Sequence, residues 1–332
     1  MNNLYLCFIF FIIYKIIYNL YKKFIIFKNF QYYNIENKRL ETEYRSNFNV
    51  LIILIQKINI IKYNNILYQL FSKFINKIYK DASVKFTDKN KNPITEIKKF
   101  CNMNGINYDE KNWIWEKKPL EYESINDFFM RRLKKEIIES YDIISPVTGV
   151  VIKYKNINCI GYSIKGDYFD SLSIMINNSN MYSKTNCYYF YLSPSDYHCF
   201  HSPIQGYIEN IVDLRFIDNC SGSVKPDLLN LQPNILIFNK RYIITIENGD
   251  LKIIMVIIGG FNVDSIIIDS KIKKKYKLNK GEYIGSFGIG GSAVLLLTNK
   301  EILLEKNLKE YFLNKEVPIK INMGKNFANY IR

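Results

Sequence analysis

The stretch Tyr242-Ile243-Ile244-Thr245-Ile246, followed by Leu251-Lys252-Ile253-Ile254-Met255-Val256-Ile257-Ile258 and then Gly259-Gly260, decides the fold class. Two short apolar runs rich in isoleucine, parted by Glu247-Asn248-Gly249-Asp250, read as β-strands. Runs of the same texture recur at Val150-Val151-Ile152, Tyr188 to Leu192, Ile235 to Phe238, Ser265 to Ile268 and Val294 to Leu297, separated by Gly, Pro, Asn and Asp. No long helical pattern alternates with them, which argues against a Rossmann-type sheet and for an antiparallel body. The expected class is α+β: N-terminal hydrophobic and amphipathic helices, then a mainly antiparallel β sandwich- or barrel-like domain.

Upstream the texture differs. Leu4 through Phe30 is dominated by Ile, Phe, Leu and Tyr, carries Lys15, Lys22, Lys23 and Lys28, and no acidic residue precedes Glu36. Residues 1–30 are therefore expected to be a membrane anchor or targeting segment. The apolar part approaches the roughly 20 residues that span a bilayer. Signal-anchor, secretory signal and mitochondrial presequence all fit, with a buried helix as the alternative. Residues 31–94 read as a helical preface. Within it Leu70, Phe71, Phe74, Ile75 and Ile78 recur at helical spacing, with Lys73, Lys77 and Lys80 on the other face. This basic amphipathic helix either packs on the domain or lies on a membrane surface. Asp81 to Lys99 is polar and turn-rich, a boundary before the body at 95–332.

At 332 residues and 48% apolar content the chain can bury a large core. Its 46 Lys and Arg against 31 Asp and Glu leave a formal charge of +15. The excess is either compositional bias or an attraction to anionic membrane surfaces. No nucleic-acid motif accompanies it, so nucleic acid is not expected as a partner. Six cysteines, at 7, 101, 159, 187, 199 and 220, show no CxxC spacing, so neither a metal site nor a disulfide framework is indicated. Gly259-Gly260 and Gly288 to Gly291 lack the Lys-Ser/Thr ending of a phosphate loop.

Chemistry concentrates at two places. The only histidines of the chain, His198 and His201, stand three residues apart in Tyr197-His198-Cys199-Phe200-His201-Ser202-Pro203. Histidine is the side chain whose ordinary pKa lies near neutrality, so the proton shuttles of the whole chain sit together. Some 90 residues on, Gly288-Ile289-Gly290-Gly291-Ser292-Ala293 presents one serine at the mouth of an apolar strand. A base and a serine suggest nucleophile chemistry. Cys199 is the less suitable nucleophile, because neighbours on an extended chain face opposite ways.

Several segments together resemble the phosphatidylserine decarboxylase family. Ser124 to Lys134 is similar to its "slneFFtRkLk", Ile144 to Gly149 to "vSPaDG", Tyr197 to Pro203 to "YHrvHsP", and Phe238 to Tyr242 to "NERv". Ile258 to Ile266 is similar to "VGAtnVGsI", Phe287 to Ala293 to "FkfGGST", and Met323-Gly324 to the closing "vkMGe". The matches run in family order from about residue 95 to 325.

The resemblance implies a carboxy-lyase made as a proenzyme that cuts itself between Gly291 and Ser292 into large and small subunits, 1–291 and 292–332. Ser292 would become a covalent pyruvoyl group. That ketone would form a Schiff base with phosphatidylserine and take up electrons as carbon dioxide leaves, giving phosphatidylethanolamine with no separate cofactor. By the same resemblance His201 is the base of self-cleavage and His198 assists decarboxylation. The expected location is a membrane, mitochondrial inner or endoplasmic reticulum.

Three positions depart from the family pattern. Thr148 stands where the family has the aspartate of "SPaDG". It can accept a hydrogen bond from an imidazole but offers no charge, and loss of that charge in comparable triads costs about 10⁴ in rate. A catalytically impaired homologue that binds acidic phospholipid or a partner is the alternative this raises. Ala293 replaces a hydroxyl residue after the nucleophile, and Asp264 replaces a glycine and is a candidate substitute carboxylate.

Overall fold

A computed structural model describes residues 30–43, 93–154, 187–214, 239–260, 265–314 and 317–331, with residues 73, 77, 162–164, 167–169, 224–226 and 236. The segment expected to anchor or target the chain, most of the amphipathic helix and Asp264 lie outside the described residues; Lys73 and Lys77 are helical and exposed. Among the described residues no helix is long and apolar enough to cross a membrane.

The strands are β1 Gln31–Asn34, β2 Arg39–Thr42, β3 Ile143–Ile144, β4 Gly149–Tyr154, β5 Tyr162–Ile164, β6 Asp167–Phe169, β7 Cys187–Leu192, β8 Cys199–His201 and β9 Gly206–Leu214. They continue as β10 Arg241–Asn248, β11 Leu251–Gly259, β12 Ile266–Ile268, β13 Lys277–Leu278, β14 Tyr283–Phe287, β15 Ser292–Thr298, β16 Ile302–Leu304, β17 Ile319–Ile321 and β18 Asn326–Tyr330. Among the described residues, α-helices run over α1 Pro93–Asn104, α2 Ile125–Phe129 and α3 Lys306–Asn314. The protein is thus α+β and mainly antiparallel.

Ten strands form one sheet in the order β13-β9-β10-β11-β15-β7-β4-β17-β1-β2, and only the β1–β17 pair is parallel. Its central strands are covered on both faces, which is why their sequences are continuously apolar rather than alternating. Ile253, Met255 and Ile257 of β11, Val294 and Leu296 of β15, and Tyr188, Phe190 and Leu192 of β7 face one core. Ile254, Val256, Ile258, Ala293, Leu295, Leu297, Tyr189 and Tyr191 face the other. A small sheet, β12-β14-β8, supplies Ile266, Phe287 and Phe200 to the first core. The two sheets therefore enclose that core as a sandwich, and β8 carries the histidine segment to its boundary.

Three expectations are corrected locally. Residues 31–42, placed in the helical preface, form the β1–β2 hairpin at the sheet edge, and the polar stretch up to Lys99 ends in helix α1. Of the run Ile235 to Phe238, the described residue Leu236 is helical rather than extended.

The segment 292–332 is woven through the fold. β15 lies between β11 and β7, β17 between β4 and β1, and β18 pairs with β3. A cut before Ser292 leaves these pairings in place. Phe327 of β18 is fully buried, edge-on to Tyr188 at 5.0 Å and 5.5 Å from Phe190. Phe327→Ala is expected to destabilise the protein by about 3–5 kcal/mol, read as a lower urea midpoint; an unchanged midpoint would contradict this packing.

Candidate active site

The loop Gly288 to Gly291 joins β14 to β15 and is held from three sides. Gly288 N–H donates to the Ser265 carbonyl (2.5 Å), Ile289 N–H to Asn126 Oδ1 of α2 (2.9 Å), and Gly260 N–H to the Gly291 carbonyl (2.9 Å). Gly291 has φ +102°, a backbone conformation that favours glycine. Gly260 must also be glycine, since a Cβ there would lie 2.0 Å from the Gly290 oxygen. The result is a carbonyl, that of the residue before Ser292, facing a fixed amide donor, with Gly291 half-buried and Ser292 buried. Ser292 opens β15 opposite Gly259 of β11 and Leu192 of β7. Its hydroxyl is fully buried and has no hydrogen-bond partner.

The two histidines occupy different surroundings. His198 lies against the Phe129 ring (3.8 Å between centroids), and its Nδ1 donates to the Asp196 carbonyl at 2.8 Å, leaving Nε2 as the acceptor. The turn before it is clamped. Asp196 Oδ2 accepts from Ser193 N–H (2.8 Å), Lys320 Nζ bonds Asp196 Oδ1, and the buried Arg131 donates to the Ser195 and Asp196 carbonyls (3.1 and 3.0 Å). Arg131 also packs over the Trp115 and Phe128 rings. Burial first, then the Arg131 charge, holds His198 well below the ordinary histidine pKa. His201 donates from Nδ1 to the Gly281 carbonyl (2.9 Å) and accepts at Nε2 from the Tyr197 hydroxyl (3.0 Å), beside the Tyr283 ring. Burial pushes its pKa down to about 4.

A sequence profile for the family described as phosphatidylserine decarboxylase matches residues 125–329. The chain belongs to the phosphatidylserine decarboxylase family. The phosphatidylserine decarboxylase proenzyme of Clostridium botulinum (strain 657 / Type Ba4) is 33% identical over 240 residues, 70% of this chain and 76% of its own. That of Fusobacterium nucleatum is 33% identical over 226 residues, 64% of this chain and 72% of its own. The Clostridium novyi proenzyme is 31% identical over 261 residues, 76% and 83% of the two chains.

Against the family pattern, the structure gathers Gly259, Gly260, Gly291 and Ser292, and sets His198 beside the same loop through the Phe287 N–H to His198 carbonyl bond (2.8 Å). It does not join either imidazole to the Ser292 hydroxyl. Thr148 Oγ1 accepts from the Met323 amide at 3.0 Å, and both His201 ring nitrogens are engaged elsewhere. The Thr148 hydroxyl thus pins the "SPVTG" turn to the closing Met323-Gly324 segment rather than bonding the His201 ring. The carboxylate that stands near His201 is Glu136, with Oε1 3.5 Å from Nδ1, at the edge of an open cleft also lined by Lys271, Lys277 and Lys280. Nothing in Lys134-Lys135-Glu136 marked it beforehand. Ala293 faces the core opposite to Ser292, so its missing hydroxyl takes nothing from the serine's side. Cys199 is buried with its thiol pushed up to about 12, mainly by burial, and is unsuited to nucleophilic work.

Both histidines are neutral in the fold and titrate near 6.5 when unfolded. Between about pH 4 and 6.5 the unfolded chain binds more protons, so stability falls as the pH drops through that window. For His201 the loss is about 3 kcal/mol. Urea midpoints from pH 7 to 4 should decline, and His201→Gln should decline less; equal slopes would contradict a buried neutral His201.

Proposed function

We propose that this chain is a phosphatidylserine decarboxylase proenzyme that cuts itself at Gly291–Ser292 and decarboxylates phosphatidylserine to phosphatidylethanolamine and carbon dioxide. Family membership supports the activity. The observation that carries the self-cleavage is the Gly291 carbonyl bound to the Gly260 amide next to the buried, unpartnered Ser292 hydroxyl.

The chemistry follows from those groups. As a base takes its proton, Ser292 Oγ bonds to the Gly291 carbonyl carbon, and the oxygen that gains charge already faces the Gly260 N–H. The Gly291–Ser292 C–N bond breaks with protonation of nitrogen, leaving an ester. Loss of the Ser292 Cα proton expels the Gly291 carboxylate, and the dehydroalanine left behind takes up water and releases ammonia to give the pyruvoyl ketone. The site suits that small group: Ser292 is buried and its surroundings are lined by Gly259, Gly260 and Gly291. When formed, the ketone supplies an electrophile for the substrate amine and a sink for the electrons freed as carbon dioxide departs.

His201 is proposed as the base of self-cleavage and His198 as the proton donor in decarboxylation. Support comes from their family positions and, for His201, from the burial that leaves its ring neutral and able to accept a proton. Tyr197, bonded to His201 Nε2, must release that lone pair for the base to act. Glu136 is the carboxylate at hand where Thr148 supplies none. A membrane setting, in the mitochondrial inner membrane or endoplasmic reticulum, is supported by the apolar, lysine-bearing segment 1–30, the basic helical face and the +15 charge.

Denaturing gels and intact mass of the purified protein test this reading. The expected result is a 41-residue fragment, 292–332, blocked at its N-terminus. His201→Ala should remain uncut, whereas His198→Ala should be cut yet release no carbon dioxide from phosphatidylserine vesicles. A single intact wild-type chain would overturn the proposal.

A further inference from the structure

Besides Ser292, a second hydroxyl in this region is buried without a partner. Ser265 is 2% exposed and its Oγ makes no hydrogen bond. Its backbone is tied to the cleavage loop, because the Ser265 carbonyl receives the Gly288 amide. An unpaired buried hydroxyl is unfavourable, so two in one region call for a reason.

Register places them on the same side. Gly259 and Ser292 are directly opposed in the antiparallel β11–β15 pair, and opposed residues project to the same face. That face is the one carrying Ile257 and Val294 into the core shared with β12. A Cβ built on Gly259 would point 3.2 Å from Ser265 Oγ. Opposed Cβ atoms in a sheet lie about 4.5–5.5 Å apart. Ser265 Oγ therefore closes over Gly259, and the missing side chain there leaves it next to the position that the Ser292 side chain faces across the pair.

We propose that Ser265 is a positioning residue for self-cleavage: its O–H turns past Gly259 and donates to Ser292 Oγ as the latter loses its proton, orienting it toward the Gly291 carbonyl. No bond to Ser265 forms or breaks. This assignment rests on the self-processing reading above. It explains why an unsatisfied hydroxyl lies directly against Gly259 in an otherwise apolar wall.

The test follows precursor conversion after cell-free synthesis, together with the urea midpoint of each protein. Ser265→Ala should slow conversion about ten- to a hundredfold, the loss expected for one hydrogen bond to a group bearing charge. Its urea midpoint should be unchanged or higher, since an unpaired polar group has been removed. Ser265→Thr, which keeps the hydroxyl, should recover most of the rate. Gly259→Ala, which puts a methyl 3.2 Å from Ser265 Oγ, should slow conversion with the fold retained. Should Ser265→Ala convert at the wild-type rate, or Thr fail to recover it while the midpoint is kept, the assignment is overturned. Should Ser265→Ala not fold, the Thr and Gly259→Ala rates decide. A wild-type precursor that never converts would instead sink the self-processing reading itself.

Discussion

Two glycine segments meet with no room for a side chain between them, and the Gly260 amide bonds the Gly291 carbonyl at that meeting point. The rest of the arrangement depends on this contact. It holds the peptide bond before Ser292 in a positive-φ turn and aims a donor at the oxygen that must bear charge if that bond is attacked. The contact exists because β11 and β15 are central strands of a ten-stranded sheet, rigid and covered on both faces. The reactive bond is thus placed at the start of a central strand, paired on both sides, rather than within a free loop.

A second constraint is the clamp on the Ser193–His198 turn. Arg131, buried between aromatic rings, satisfies two of its carbonyls, while Lys320 and the Ser193 amide hold the two oxygens of Asp196. These partners come from α2's end, from β17 and from the turn itself, so residues on both sides of the 291/292 bond fix His198. Removing water from both imidazoles lowers their proton affinity and keeps them as neutral bases, a trade of stability at acid pH for chemistry near neutrality.

The parts legible in the sequence are those with dense local pattern. The apolar runs that became β4, β7, β10, β11 and β15 are continuous because both of their faces are buried, and the glycine-serine turn and the paired histidines stand out in composition alone. What was hidden depends on pairing over distance. The β1–β2 hairpin, Gln31 to Thr42, is half-exposed and polar, so it carries no apolar signature and gains its extended form by pairing with β17. Lys320, Glu136 and Ser265 look like ordinary residues in their own segments and acquire meaning only where the chain returns. Thr148 was recognisable as a departure, yet its partner, the Met323 amide 175 residues away, was not. Ala293 likewise matters less than its place beside Ser292 suggested, because strand alternation turns it to the opposite core.

The most direct test of the account is whether the Ser292 oxygen bonds to the Gly291 carbonyl carbon in the precursor. Hydroxylamine attacks esters, so mass spectrometry of precursor treated with it should show residues 1–291 ending in a glycine hydroxamate and a partner fragment beginning with an unmodified Ser292. A precursor that yields no hydroxamate at Gly291 and converts no faster in hydroxylamine would contradict it.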